Sequence, residues 1–348
     1  MHRITIAGRE IGPDRPPYVI AEMSANHNGS IERAFAILDA AKAAGADAVK
    51  LQTYRADTIT IDHDGPEFVL KDGLWAGRKL YELYEDAAMP WDWHKPLFDH
   101  ARKIGITVFS SPFDETAIDL LHALDAPAFK VASLEMADLP LITRMAATGK
   151  PLVMSTGASE LSEIADAVNA ARAGGCKEIM LLQCTSGYPT PPKDSNLKTI
   201  ANLGETFDCV VGLSDHTMGT AVPVAAVALG ACAIEKHFTL RRADGGVDSA
   251  FSLEPDELAR LTADCRTAWE ALGHVHYGVV GSEKSIRGLR RSLYVVKDIA
   301  AGETLTEANI RSIRPGLGLA PKFLPEVLGR HANRALKRGT ALDWSMIA

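Results

Sequence analysis

Two histidines, His216 in GLSDHT and His237 in IEKHF, lie one strand–helix repeat apart at the ends of short apolar runs. Neighbouring strands run roughly 4.8 Å apart, so imidazoles at equivalent strand ends can reach one ion. A single core histidine is more often a packing residue, but a pair at equivalent positions points to a metal. Two imidazoles leave coordination positions for water and substrate, which suits a catalytic ion better than a structural one. Nitrogen ligands lean towards Mn²⁺, with Mg²⁺ or Co²⁺ as alternatives.

Lys50 in AVKLQT and Lys130 in AFKVAS end two other runs, among Ser and Thr hydroxyls. Lysine supplies point charge and hydroxyls supply direction, a combination suited to a compact polyanion such as a phosphate ester. The alternative for either lysine is a carboxylate partner in a structural pair. Glu22, at the end of YVIAEMS, is the best-placed carboxylate for acid–base work. Its alternative is to pair with Lys50 or Lys130. The same rim is expected to carry Asn26, His27, Gln52, Ser110, Ser111, Ser133, Glu135, Ser155, Thr156, Thr185, Ser186, Tyr188, Ser214, Asp215 and Lys236.

The elements that must position these groups are eight apolar runs, beginning at Tyr18, Ala48, Ile106, Ala128, Pro151, Glu178, Val210 and Ala231. Continuous runs of this length suit parallel strands buried on both faces. Helical patterns that end at glycine alternate with them. Eight strand–helix units in about 275 residues predict an α/β fold, the closed (β/α)₈ TIM barrel, whose strand ends share one pocket. An open doubly wound sheet would need a Gly-rich phosphate loop after an early strand, and none is present. The stretch 54–90 is an excursion on the pocket side, and its Leu74, Trp75, Tyr81 and Tyr84 suit covering a substrate. The expected organisation is a barrel over 1–273, a linker over 274–288 and a small domain over 289–348. About sixty residues bury little surface, so the small domain is expected to lean on the barrel or on a second subunit.

Formal net charge is −7, which argues against a nucleic-acid partner. The short basic run KSIRGLRR reads as a solvated connector. Five scattered cysteines without a CxxC pair argue against a disulfide framework or a structural zinc site. The run Ala221 to Ile234 is too short for a bilayer, and no signal segment precedes the first strand, so a soluble cytoplasmic protein is expected.

In order, AEMSANHNGS, AVKLQTY, FSSPF, FKVASLE, MSTGAS, CTSGYPTP, GLSDHT and IEKHF resemble the sialic acid synthase family. The tail resembles that family's antifreeze-like (SAF) C-terminal domain. The resemblance implies an enzyme that condenses phosphoenolpyruvate with an N-acetylated amino sugar and releases phosphate by C–O cleavage. DGLWAGRKLYELYE and KVASLE are similar to the pseudaminate branch, which uses 2,4-diacetamido-2,4,6-trideoxy-L-altropyranose. An apolar Leu74–Trp75 segment suits a 6-deoxy sugar with fewer hydroxyls. The N-acetylneuraminate and legionaminate branches are the alternatives.

The resemblance also assigns roles. His216 and His237 become metal ligands, and Lys50, Ser111, Lys130, Ser133, Ser155, Ser186 and Ser214 become phosphoenolpyruvate contacts. Arg314 in IRPGLG would reach the partner's site in a swapped homodimer. Glu22, Gln52, Tyr188 and Asp248 become sugar contacts. Ser186 stands where the neuraminate branch has Asn, and Ser111 where it has Thr; both keep a hydrogen-bonding group. Two other readings stay open, a barrel aldolase with a Schiff-base lysine at Lys50 or Lys130, and a sugar-binding barrel without catalysis.

Overall fold

The computed structural model describes residues 2–348, which divide into two compact units at Gly273 and His274. The first unit opens with an antiparallel hairpin, β1 (Ile4–Ile6) and β2 (Arg9–Ile11). Eight parallel strands follow: β3 (Tyr18–Glu22), β4 (Ala48–Thr53), β5 (Thr107–Pro112), β6 (Phe129–Val131), β7 (Leu152–Ser155), β8 (Ile179–Cys184), β9 (Val210–Asp215) and β10 (Ala233–His237). They close into a barrel in sequence order, with β10 paired back on β3.

The outer helices are α1 (Ile31–Ala43), α2 (Ala56–Ile59), α3 (Leu80–Ala87), α4 (Trp91–Ile104), α5 (Glu115–Ala123), α6 (Leu139–Ala146), α7 (Leu161–Ala173), α8 (Thr199–Phe207), α9 (Ala221–Ala228) and α10 (Pro255–Leu272). Their ends are set locally. The Ser30 hydroxyl accepts from Arg33 N at 3.2 Å to start α1, and the Asp114 carboxylate accepts from Thr116 N at 2.7 Å to start α5, satisfying otherwise orphaned amides. Gly105, at φ 72°, takes the left-handed position that ends α4.

Strand parity decides what faces the pocket, because successive side chains point to opposite faces. One parity supplies Val19, Ala21, Val49, Leu51, Val131, Met154, Leu213 and Ile234, which pack against the helices. The other supplies Tyr18, Ile20, Ala48, Phe109, Val153, Met180, Leu182 and Ala233, which fill the barrel interior. Ile4, Ile6 and Ile11 of the hairpin join this interior cluster and plug its N-terminal end. Continued to the C-terminal ends, the interior parity reaches Glu22, Lys50, Ser111, Lys130, Ser155, Ser214, Glu235 and His237. Apolar layers below thus support a charged layer above.

The same rule corrects three residues expected on the rim. Lys236 and Asp215 have the outward parity, and their Nζ and Oδ2 atoms form a fully buried ion pair at 2.7 Å. Ser110 is also turned outward, 2.7 Å from the Thr53 hydroxyl, which in turn lies 2.8 Å from His94 Nε2. These are packing networks between sheet and helices.

The second unit has its own small core, with Leu293, Val295, Ile299, Leu305, Ile310, Val327 and Leu342 around the antiparallel pair β11 (Ser292–Val295) and β12 (Ile310–Ile313). Residues 274–291 are exposed almost throughout. Twelve Lys and Arg against six Asp and Glu give residues 274–348 a charge of +6, so the rest of the −7 chain carries −13. Among the described residues, no helix is long and apolar enough to cross a membrane.

Candidate active site

A cavity of about 360 Å³ opens where the barrel strands end. Lys50, Gln52, Lys130, Ser133, Glu135, Ser155, Ser186, Tyr188, Ser214, His216 and His237 all line it, eleven of the expected rim residues brought together from six strands and their loops. Glu22, Ser111 and Asp248 stand behind this lining. Glu22 holds Lys50 and Gln52, Ser111 Oγ lies 3.4 Å from Lys50 Nζ, and Asp248 accepts from Ser24 Oγ. Arg314 belongs to the second unit, exposed in the loop after β12. A larger cleft of about 660 Å³ lies at the opposite end of the strands, but its Arg9 and Arg15 are already paired with Asp47 and Glu10.

The two lysines differ in their partners. Lys50 Nζ lies 2.8 Å from Glu22 Oε2 and 3.6 Å from Glu235 Oε1. Burial pushes its pKa down, but the two carboxylates more than offset this and hold it above the ordinary value. Lys130 Nζ donates to Ser155 Oγ at 2.7 Å and to the Val131 carbonyl at 2.8 Å, and no carboxylate among the described residues lies within ion-pair distance. Burial therefore lowers its pKa, with Glu235 only partly compensating. A buried ammonium without a counter-ion is costly, and a bound anion is the natural remedy. Of the two carboxylates that share Lys50, Glu22 protonates more readily, because burial raises its pKa. Glu235, though equally buried, is pulled down by Lys50 and Lys130.

The histidine rings stand with centroids 5.3 Å apart. His216 Nδ1 lies 2.9 Å from the Thr185 carbonyl, so this nitrogen carries the proton and leaves Nε2 free as a ligand. His237 Nδ1 is buried with no hydrogen-bond partner. Burial, together with His216 and Lys50, depresses the His237 pKa well below its usual value, which keeps the ring neutral as metal binding requires. Burial pushes the His216 pKa down, but Cys184 and the Thr185 carbonyl more than offset this and raise it, so an ion at Nε2 would displace a proton there; with Nδ1 held by Thr185 the pair fits a divalent ion. Among the described residues, no cluster of three or more His, Cys, Asp and Glu is arranged for one. An ion here would have two protein ligands and a coordination shell completed from outside.

The excursion also reaches the site. Tyr84 joins Tyr54, Ile59, Phe113 and Leu134 in an apolar wall of the cavity. Trp75 donates from Nε1 to the Val247 carbonyl at 3.0 Å and packs 5.5 Å from Tyr188, whose ring lies 4.5 Å from His216. Leu74 remains half exposed. Sequence reasoning missed Glu235, Cys184, Tyr54, Ile59 and Phe113. Parity counted back from His237 would have found Glu235, and counted forward from Leu182 would have found Cys184. Of the wall residues, Ile59 ends the one-turn α2, and Tyr54 and Phe113 lie just past β4 and β5, where no period reaches.

Asn26, His27, Thr156 and Thr185, expected on the rim, are absent from the cavity lining; the two threonine hydroxyls donate instead to the Leu182 and Asp194 carbonyls. Asn26 Nδ2 donates to the Phe238 carbonyl at 3.0 Å and to Ser252 Oγ at 2.9 Å. His27 packs edge-on against Trp93, and burial pushes its pKa down to about 4. Because the folded form disfavours the proton, His27 contributes no penalty above pH 6.5. Stability is then lost as pH falls from 6.5 towards 4, by up to about 3 kcal/mol. In His27→Asn, whose side-chain oxygen can still accept from the Gly29 amide, the melting temperature is expected to fall less over that interval. Parallel acid limbs for the two proteins would contradict the assignment.

Comparison with known proteins agrees with this architecture. A model of the NeuB family matches residues 37–277, and a model of the SAF domain matches residues 290–348. The chain is 44% identical to a pseudaminic acid synthase of Campylobacter jejuni over 332 residues, covering 95% of this chain and 97% of that one. It is 42% identical to a pseudaminic acid synthase of Helicobacter pylori, over 94% and 97% of the two chains. The solved structure of spore coat polysaccharide biosynthesis protein SpsE from Bacillus subtilis superposes with a TM-score of 0.68 at 35% identity, covering 99% of each chain.

Proposed function

Because this chain belongs to the NeuB family, we propose that it is a pseudaminic acid synthase, condensing phosphoenolpyruvate with 2,4-diacetamido-2,4,6-trideoxy-L-altropyranose to give pseudaminic acid and inorganic phosphate. The observation that carries the choice of sugar is the near end-to-end identity, 44% over 95% of the chain, to an enzyme of that name. The apolar wall of Tyr54, Ile59, Phe113 and Leu134 supports it, since a 6-deoxy sugar has fewer hydroxyls to satisfy.

The phosphate, the more highly charged end of phosphoenolpyruvate, goes to Lys130, Ser133, Ser155 and Ser186, where a cation lacks a counter-charge. The carboxylate goes towards Lys50 and Ser111, where Glu22 and Glu235 have already met much of the charge. A divalent ion, Mn²⁺ by ligand type, would be held by His216 and His237 and would polarise the sugar aldehyde as a Lewis acid. Carbon 3 of phosphoenolpyruvate bonds to the aldehyde carbon, and carbon 2 is left electron-poor. Water adds at carbon 2 and gives up a proton to the carboxylate pair that shares Lys50, of which Glu22 protonates the more readily. The adduct then collapses to the ketone: the carbon 2 hydroxyl gives its proton to the departing phosphate, which leaves with its bridging oxygen. Of the two protons that water brings, one reaches the new hydroxyl and the other leaves on the phosphate, so none is consumed. Much of the acceleration comes from holding both substrates in register.

As a homodimer, one copy would offer Arg314 to the other's site as a third cation. The opposite charges of the two units, +6 and −13, support such docking between copies. Five free cysteines support a reducing, cytoplasmic setting. The test uses phosphoenolpyruvate labelled with ¹⁸O in its bridging oxygen together with the diacetamido sugar. Sugar-dependent release of labelled phosphate is expected. Label retained in the nine-carbon product would overturn the scheme.

A further inference from the structure

The turn after β7 reads Thr156-Gly157-Ala158, and its glycine is on the side that backbone ease would not choose. Ala158 takes the left-handed conformation at φ 55°, where an L side chain is strained, whereas Gly157 has an ordinary φ. Conformational freedom therefore does not explain Gly157. Space does. A Cβ at this position would run into Ser186 Oγ and lie 2.7 Å from Ser133 Oγ and 3.1 Å from Cys184 Sγ. These three side chains come from the ends of β6 and β8, on either side of β7, and all three line the cavity. The Gly157 amide donates to Ser133 Oγ at 3.2 Å, which leaves the Ser133 hydroxyl proton free to donate elsewhere. Ser186 Oγ is buried and has no partner at all. Two hydroxyls with protons to give thus meet across a missing side chain, in the cavity that holds the uncompensated Lys130 ammonium.

We propose that Gly157 is a positioning residue for the phosphate of phosphoenolpyruvate. Its missing side chain is the space into which Ser133 and Ser186 turn together to donate to one anion. The proposal rests on the phosphoenolpyruvate reading of the same cavity. It assigns no bond-making role to Gly157, and it places the effect of any side chain there on phosphate affinity rather than on the sugar.

The experiment compares wild type, Gly157→Ala, Ser186→Ala and the double variant, all as the full chain. It reads KM for each substrate, competitive inhibition by inorganic phosphate, and protection by inorganic phosphate against thermal unfolding. Gly157→Ala should raise KM for phosphoenolpyruvate and Ki for phosphate by about tenfold or more, with KM for the sugar within about twofold. Because the nearest obstacle to the added methyl is the Ser186 hydroxyl, the double variant should be no worse than Gly157→Ala alone, a coupling that independent packing defects would not produce. A folded Gly157→Ala enzyme with unchanged phosphoenolpyruvate KM and phosphate Ki would overturn the proposal. So would failure of both Gly157 variants to fold, which would assign the gap to packing. If wild type turns over phosphoenolpyruvate with no amino sugar, the functional reading fails, yet phosphate protection of wild type against Gly157→Ala still decides the cradle.

Discussion

Alanine in place of either His216 or His237 is expected to leave a folded barrel whose phosphate release with phosphoenolpyruvate and sugar falls by about a thousandfold or more. The fold should survive because the rings, though packed 4.5 Å from Tyr188 and 4.9 Å from Phe251, make few polar contacts. His237 Nδ1 has no hydrogen-bond partner, with Asp248 Oδ2 3.9 Å away, and His216 makes only one close hydrogen bond, to the Thr185 carbonyl. Removing a buried imidazole without partners relieves a desolvation cost while opening space that already borders the cavity. Circular dichroism and melting temperature should therefore stay close to wild type. Chelation of wild type should copy the kinetic defect, and added Mn²⁺ should restore wild type but neither variant. A double alanine variant that still releases phosphate at the wild-type rate would remove the metal from the account.

Methionine at the two lysines is expected to have opposite effects on stability and similar effects on activity. Lys130 is buried without a carboxylate, so Lys130→Met should raise the melting temperature by a few degrees while raising KM for phosphoenolpyruvate about a hundredfold. Lys50 neutralises Glu22 and Glu235, so Lys50→Met leaves two buried carboxylates facing each other and should cost roughly 3–5 kcal/mol of stability. Thermal melts and steady-state kinetics on both variants separate the two roles. Equal destabilisation would mean that Lys130 has a structural partner after all. The lowered pKa of Lys130 is also what a Schiff-base aldolase would use. Borohydride with either substrate should therefore leave the protein mass unchanged, and a stable adduct at Lys130 would favour the aldolase reading.

Much of the barrel was legible because its signal is periodic. The eight apolar runs starting between Tyr18 and Ala231 became eight strands, and the glycines after the helices mark where the chain turns back. The site was legible only as far as strand ends could be located without parity. Lys236 and Asp215 looked like rim residues because they adjoin His237 and His216, but alternation turns them outward into a buried ion pair. Glu235 was hidden for the same reason, lying two residues before His237 and therefore on its side. The hairpin that plugs the barrel with Ile4, Ile6 and Ile11 is too short for its alternation to stand out. Tyr54 and Phe113 reach the cavity from loops and Ile59 from the end of a single helical turn, where the path of the chain, and not a repeat, decides what meets.

The most direct measurement of the central claim is phosphate release across a panel of amino sugars at saturating phosphoenolpyruvate. The panel comprises 2,4-diacetamido-2,4,6-trideoxy-L-altropyranose, its legionaminate counterpart and N-acetylmannosamine. kcat/KM for the first should exceed the others by about a hundredfold or more, with one phosphate released per nine-carbon acid formed. Preference for N-acetylmannosamine or for the legionaminate precursor would contradict the assignment of the sugar, and no phosphate release with any of the three would contradict the synthase itself.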